Sequence, residues 1–104
     1  MKEEKGKCGD WSAVHDFMPP GPARLTVIGK CTFPTPGYKV QLKKKVPQGI
    51  NPSILLLEKI VSGPSGPQPD VVTTIPITYE EITDQRYKEI EIPDGTKIKV
   101  KDVS

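Results

Sequence analysis

From Ala23 to the end of the chain, apolar side chains recur at every second position between turn signals, and this spacing restricts the fold more than any other feature. A period of two matches a pleated strand, whose successive residues face opposite sides; it does not lay an apolar stripe along a helix. Ala23, Leu25 and Val27 alternate with Arg24 and Thr26, and Ile28 breaks the pattern ahead of Gly29, which invites a bulge at that glycine. Tyr38, Val40 and Leu42 alternate with Lys39, Gln41 and Lys43, giving one wet face and one dry one. Ile54 to Leu57, followed by Ile60 and Val61, is the most apolar segment and reads as a central strand. Val71 to Tyr79 is a β-branched strand whose Pro76 assigns it to an edge or a bulge. Ile90 and Ile92, then Ile98 and Val100, flank the Pro93-Asp94-Gly95 turn of a last hairpin, with Lys97, Lys99 and Lys101 keeping its final strand soluble and discouraging edge pairing.

Proline and glycine agree with this pattern. The 12 prolines and 9 glycines among 104 residues exceed average usage and leave no room for long helices. A chain of this length supports one core and one domain. The expected fold is all-β: a small antiparallel β-sandwich of immunoglobulin-like type with six to seven strands, a small barrel being the rival. The cysteine and tryptophan spacing of antibody domains is absent, so the likeness is architectural only.

Residues 1–22 read as an irregular N-terminal arm, and residues 23–104 as the single sandwich domain. The first ten or so residues are charged and carry no periodic apolar pattern, so they are expected to fray unless Cys8 is tied down. Trp11 to Met18 contains the only tryptophan and the only histidine, is too short for a stable helix, and runs into Pro19-Pro20-Gly21-Pro22, which forces an extended exit. Trp11, Phe17 and Met18 therefore either plug an open end of the sandwich or dock on a partner.

Chemistry is sparsely provided for. Cys8 and Cys31 lie 23 residues apart; either they form one bridge tying the arm to the first strand, or Cys31 is a small buried thiol. With no Cys-x-x-Cys pair and one histidine, no metal and no cofactor are expected. His15, Asp16 and a nucleophile drawn from Cys8, Cys31 or Ser12 compose a triad only on paper, and His15 reads as a solvent-facing or capping residue before the proline turn. Glu80, Glu81, Asp84, Glu89 and Glu91 read as a solvated acidic face rather than a calcium site. No glycine loop has the phosphate-cradling pattern.

The net charge of +2 names no partner, and neither nucleic acid nor membrane is expected. The longest apolar run, Ile54 to Leu57, is far short of the roughly 20 residues that span a bilayer. Lys43-Lys44-Lys45, with Lys39, leaves weak polyanion binding as an alternative. The absence of a signal-like stretch makes a cytoplasmic location the default, although a chain trimmed of its leader would read the same. A monomer or weak homodimer is expected. The proline-stiffened turns lose little entropy when held by a partner, which selects Pro64, Ser65, Gly66 and Pro67 beside the aromatic arm as contact candidates. The expected function is a non-enzymatic protein-interaction or structural module with an unknown protein partner. The alternatives are a protease-inhibitor-like domain presenting a rigid Pro-rich loop and a small hydrolase using His15.

Overall fold

A computed structural model describes residues 6–104. Seven strands make up the fold: β1 (Lys7–Asp16), β2 (Arg24–Phe33), β3 (Lys39–Lys44), β4 (Ile54–Ser62), β5 (Thr73–Ile82), β6 (Glu89–Ile92) and β7 (Thr96–Val103). They form one sheet in the order β3-β4-β6-β7-β1-β2-β5. The sheet curls until β3 and β5, its two end strands, lie side by side without a backbone ladder, so the wall is nearly closed and barrel-like. Among the described residues no helix is long and apolar enough to cross a membrane.

The all-β expectation with six to seven strands agrees with this architecture. The antiparallel sandwich differs from it in two respects. The strands belong to a single sheet, and two of its pairings are parallel, β1 with β7 and β4 with β6. Alternation along a strand reports which face is dry but not the direction of its neighbour, so these parallel pairings are invisible to a period-two reading. The division at residue 22 also differs: Lys7–Asp16 is no irregular arm but a strand lying between β7 and β2. Residues 1–5, about half of the segment expected to fray, lie outside the described residues. The final strand β7 is flanked by β6 and β1, so its lysines guard no edge; Lys99 and Lys97 instead stand opposite Glu89 and Glu91 of β6. Pro76 does lie on an edge strand, β5, which has a ladder partner on only one side.

Strand β2 shows how sequence sets the wall. Leu25, Val27, Gly29, Cys31 and Phe33 all face inward and are buried, while Ile28 faces out, so the alternation runs through the glycine. The bulge expected at Gly29 lies across from it. Gly9 pairs with Lys30 and Ser12 with Ile28, leaving Asp10 and Trp11 opposite Gly29. Asp10 takes φ 55°, the left-handed region that aspartate tolerates better than most residues.

That one extra residue changes the parity of β1. Ala13 and His15 face inward beyond it, and Cys8 faces inward before it, directly opposite Cys31. The two cysteines are joined by a disulfide. Closing a loop across 23 residues of sequence contributes about 3 kcal/mol by restricting the unfolded chain.

The core has two parts. The larger is built from Leu25, Val27, Leu55, Leu57 and Ile90 with their neighbours, and the smaller from Cys31, Phe33 and Ile77; Trp11 packs against both. Between β3 and β5, Val40 and Ile75 join the smaller cluster and bridge the seam that lacks a ladder.

Candidate functional site

Strand directions assign every connection to one of two rims. The upper rim carries the β1–β2 turn (17–23), the β3–β4 loop (45–53) and the β5–β6 connection (83–88). The lower rim carries the disulfide end of β1, the β2–β3 turn, the β4–β5 loop (63–72) and the β6–β7 turn. Phe17 and Met18 are therefore on one rim, Pro64 to Pro67 are on the other, and Trp11 lies in the wall between them. The structure does not gather the candidate contact residues into one surface.

Each has a defined surrounding. Phe17 is half-buried, with the His15 ring 4.0 Å from its own and the Arg86 guanidinium 3.9 Å over it. Its N–H donates to Val103 O, so it is held within the fold. Met18 is 51% exposed, its N–H accepted by Asp16 Oδ1. Pro64 packs against Gly37, whose φ of 95° and missing side chain admit the ring, while Ser65, Gly66 and Pro67 are exposed.

His15 corrects the expectation of a solvent-facing residue: it is completely buried. Its Nε2 donates to Thr83 O at 2.7 Å, and because a carbonyl only accepts, Nε2 carries the proton. The ring thereby pins the β5–β6 connection to β1, while Nδ1 has no partner among the described residues. Asp16 faces outward, Ser12 is exposed, and the cysteines are bridged toward the other end of β1, so the triad conceivable from the sequence does not assemble.

The upper-rim loop 45–53 is tightly organised by side-chain hydrogen bonds. The Gln48 carboxamide acts as a strand partner where β3 ends: Nε2 donates to Lys45 O (2.6 Å) and Leu56 O (2.8 Å), and Oε1 accepts from Leu56 N (2.8 Å). Asn51 Oδ1 accepts from the N–H and hydroxyl of Ser53, forming a local turn. The far side is tied to the β5–β6 connection by Gln85 Nε2 donating to Pro52 O and Lys88 N donating to Ser53 O. On this fixed backbone Val46 is 87% exposed and Ile50 fully so. Each forgoes about 1.5–3 kcal/mol that burial of an aliphatic side chain would contribute, so neither is used by the fold.

Beneath the loop, a hollow of about 370 Å³ is lined by Lys44, Gln48, Asn51, Ile54, Glu81 and Tyr87. Glu81 is its hub. It accepts from Tyr79 OH at 2.7 Å, from Tyr87 OH at 3.4 Å and from Lys44 Nζ at 3.3 Å. These contacts cross from β5 to β3 and clasp the seam at the upper rim. Partial burial disfavours the Lys44 ammonium, but its hydrogen bond and attraction to Glu81, with those to Tyr87, outweigh that and hold its pKa above the ordinary lysine value. Burial, followed by the bond to Glu81, raises the Tyr79 phenol far above its usual range. Both groups therefore stay protonated at neutral pH, and the clasp offers neither a free amine nor a phenolate. Within the triple-lysine run, Lys44 is committed to this clasp, while Lys43 and Lys45 are exposed on either side of it.

In the sequence, Val46 to Pro52 reads as a loop, with Gly49 free to take positive φ and Asn51-Pro52 favouring a turn. Its usable signal was two aliphatic residues, Val46 and Ile50, set among turn formers with no alternating partner. The role of Gln48 had no signal, because a side-chain amide completing a ladder depends on tertiary geometry. Comparison with protein-family models, with curated proteins and with solved structures finds no match to this chain.

Proposed function

We propose that the chain is a non-enzymatic contact module that binds a protein partner through the upper-rim loop 45–53. The single observation behind this reading is the Gln48 clamp beneath Val46 and Ile50: the loop's order is supplied from inside the fold, while its two apolar side chains are left to water. A surface of this kind loses little conformational entropy on binding, and two aliphatic groups entering a partner pocket recover the burial they lack in the free chain. Met18, on the same rim, extends the apolar contact. Pro64 to Pro67, on the opposite rim, would serve a separate contact.

The deciding experiment is affinity capture from the native host with the full chain, run beside Ile50→Asp, Val46→Asp and Met18→Asp variants. A partner retained by the wild type and lost with either loop variant supports the reading; equal recovery by the wild type and both loop variants sinks it. The inhibitor alternative would use the same loop, and a panel of serine, cysteine and metallo-proteases separates the two: inhibition abolished by Ile50→Asp would move the assignment to that class.

A further inference from the structure

The lower rim contains a group that the contact reading does not use. Lys59 of β4 occupies the inward position that follows Leu55 and Leu57, and its side chain, only 9% exposed, runs across the interior. Its Nζ lies 2.7 Å from Asp94 Oδ2 in the β6–β7 turn and 3.6 Å from Cys8 Sγ. A lysine at an inward strand position costs desolvation, so its partners need a physical account. Asp94 supplies one. The sulfur of an intact disulfide is a poor acceptor, whereas the sulfur of a thiolate is a strong one.

We infer that Cys8 and Cys31 form a reversible dithiol–disulfide centre in which Cys8 is the exchange-reactive sulfur, Cys31 resolves it, and the Lys59 ammonium is the counter-ion of the Cys8 thiolate. The two sulfurs are not equivalent. Cys31 is completely buried, whereas Cys8 is only partly buried and lines an open hollow of about 790 Å³ shared with Lys7, Asp10, Lys30, Thr32 and Val72. Among the described residues, the charged groups disposed around Cys8 include Lys7 and Asp10 on its own strand, Lys30 on β2, Lys59 on β4 and, through Lys59, Asp94.

The co-reactant is a small dithiol. Its first thiolate attacks Cys8 Sγ, the Cys8–Cys31 bond breaks, and Cys31 leaves as a thiolate that takes up a proton. The second reductant thiol, deprotonated, then attacks the reductant's own sulfur in the mixed disulfide. The reductant closes to a cyclic disulfide, and Cys8 leaves as the thiolate that Lys59 stabilises. Two electrons pass from the dithiol to the bridge, and the reverse sequence reforms it.

The test measures alkylation of Cys8 by iodoacetamide against pH in Cys31→Ser, with fold checked by circular dichroism. The expected profile has its midpoint at least about one pH unit below that of an unperturbed cysteine. Adding Lys59→Met should slow the reaction at pH 7 by about tenfold, and Lys59→Arg should restore most of the rate. Asp94→Asn should act in the opposite direction and accelerate it, which a purely structural role for the ion pair would not do. If Cys31→Ser does not fold, the same series is run on the reduced wild-type chain, with peptide mass spectrometry separating the two cysteines. Exposure of the oxidised protein to glutathione should place the mixed disulfide on Cys8. An ordinary cysteine profile, indifference to Lys59→Met, or a glutathione adduct on Cys31 would each overturn the inference.

Discussion

Gly29 and Trp11 share one inward position of the wall: β2 omits a side chain there, and the indole of the opposing β1 bulge occupies the space. A Cβ on Gly29 would run into the ring of Trp11, which itself packs against both core clusters. Gly29→Ala should therefore lower stability by about 1–3 kcal/mol, as overpacking does. The measurement is the urea midpoint. In a Trp11→Leu background the alanine should cost much less, and an undiminished cost would locate the strain elsewhere.

The bulge itself can be tested by removing its extra residue. Deleting Asp10 restores unbroken alternation and turns Cys8 outward while Cys31 stays inside. Titration of the unfolded, unreduced protein should then count two free thiols; a bridge that still forms would show that register does not depend on the bulge. Asp10→Gly should keep the bridge and raise stability by up to about 1 kcal/mol, since φ 55° carries no penalty for glycine.

Loop 45–53 separates order from contact. Gln48→Ala leaves the Leu56 N–H without its acceptor and should cost about 1–3 kcal/mol, with faster hydrogen exchange at Leu56. Val46→Ser and Ile50→Ser should change stability by no more than about 0.5 kcal/mol, because neither side chain is buried. A large loss in either serine variant would mean that these residues hold the loop rather than decorate it.

Stability should fall at both extremes of pH for identifiable reasons. Burial alone would raise the Asp94 pKa, but the hydrogen bonds from Lys59 and Thr96 outweigh it and hold the carboxyl below the usual 3.8. A depressed folded pKa means that this contribution is full above the unfolded value and disappears as pH falls through the folded one. Asp94→Asn should accordingly flatten the acid limb of a stability profile below about pH 4. At the alkaline side, Lys44 and Tyr79 both have raised folded pKa values, so their contributions are complete below their ordinary 10.5 and 10.0 and are lost as pH rises from there through the folded ones. Glu81→Gln removes the hub common to both and should shrink that alkaline loss. Urea unfolding at a series of pH values reads both limbs.

What the sequence displayed was facing, and what it concealed was neighbourhood. Leu25, Val27, Leu42, Ile90 and Ile98 could each be assigned to a dry face, because alternation is local and burial follows it. The strand in Lys7–Asp16 was obscured because its bulge shifts the apolar phase between Cys8 and Ala13, and periodicity is only visible in register with itself. The burial of His15 is hidden for a related reason: its neighbours Asp16 and Pro19 are polar or turn-forming, whereas its hydrogen-bond partner, Thr83, is 68 positions away. Gln48 and Lys59 were beyond reach altogether. Each is a polar side chain whose role is set by the strand it meets, Leu56 in one case and the Cys8 end of β1 in the other.

The parallel pairing of β1 with β7 joins Ala13–Asp16 to Val100–Val103, and Phe17 N–H is answered by Val103 O. Of the seven described strands β1 is synthesised first, but the neighbour on one of its flanks, β7, is synthesised seventh. Until the ribosome has delivered those closing residues, β1 has only β2 beside it and a row of unanswered backbone groups on its other side. The wall cannot close before β7 has left the ribosome, and until then the open flank of the nascent chain lies on β1.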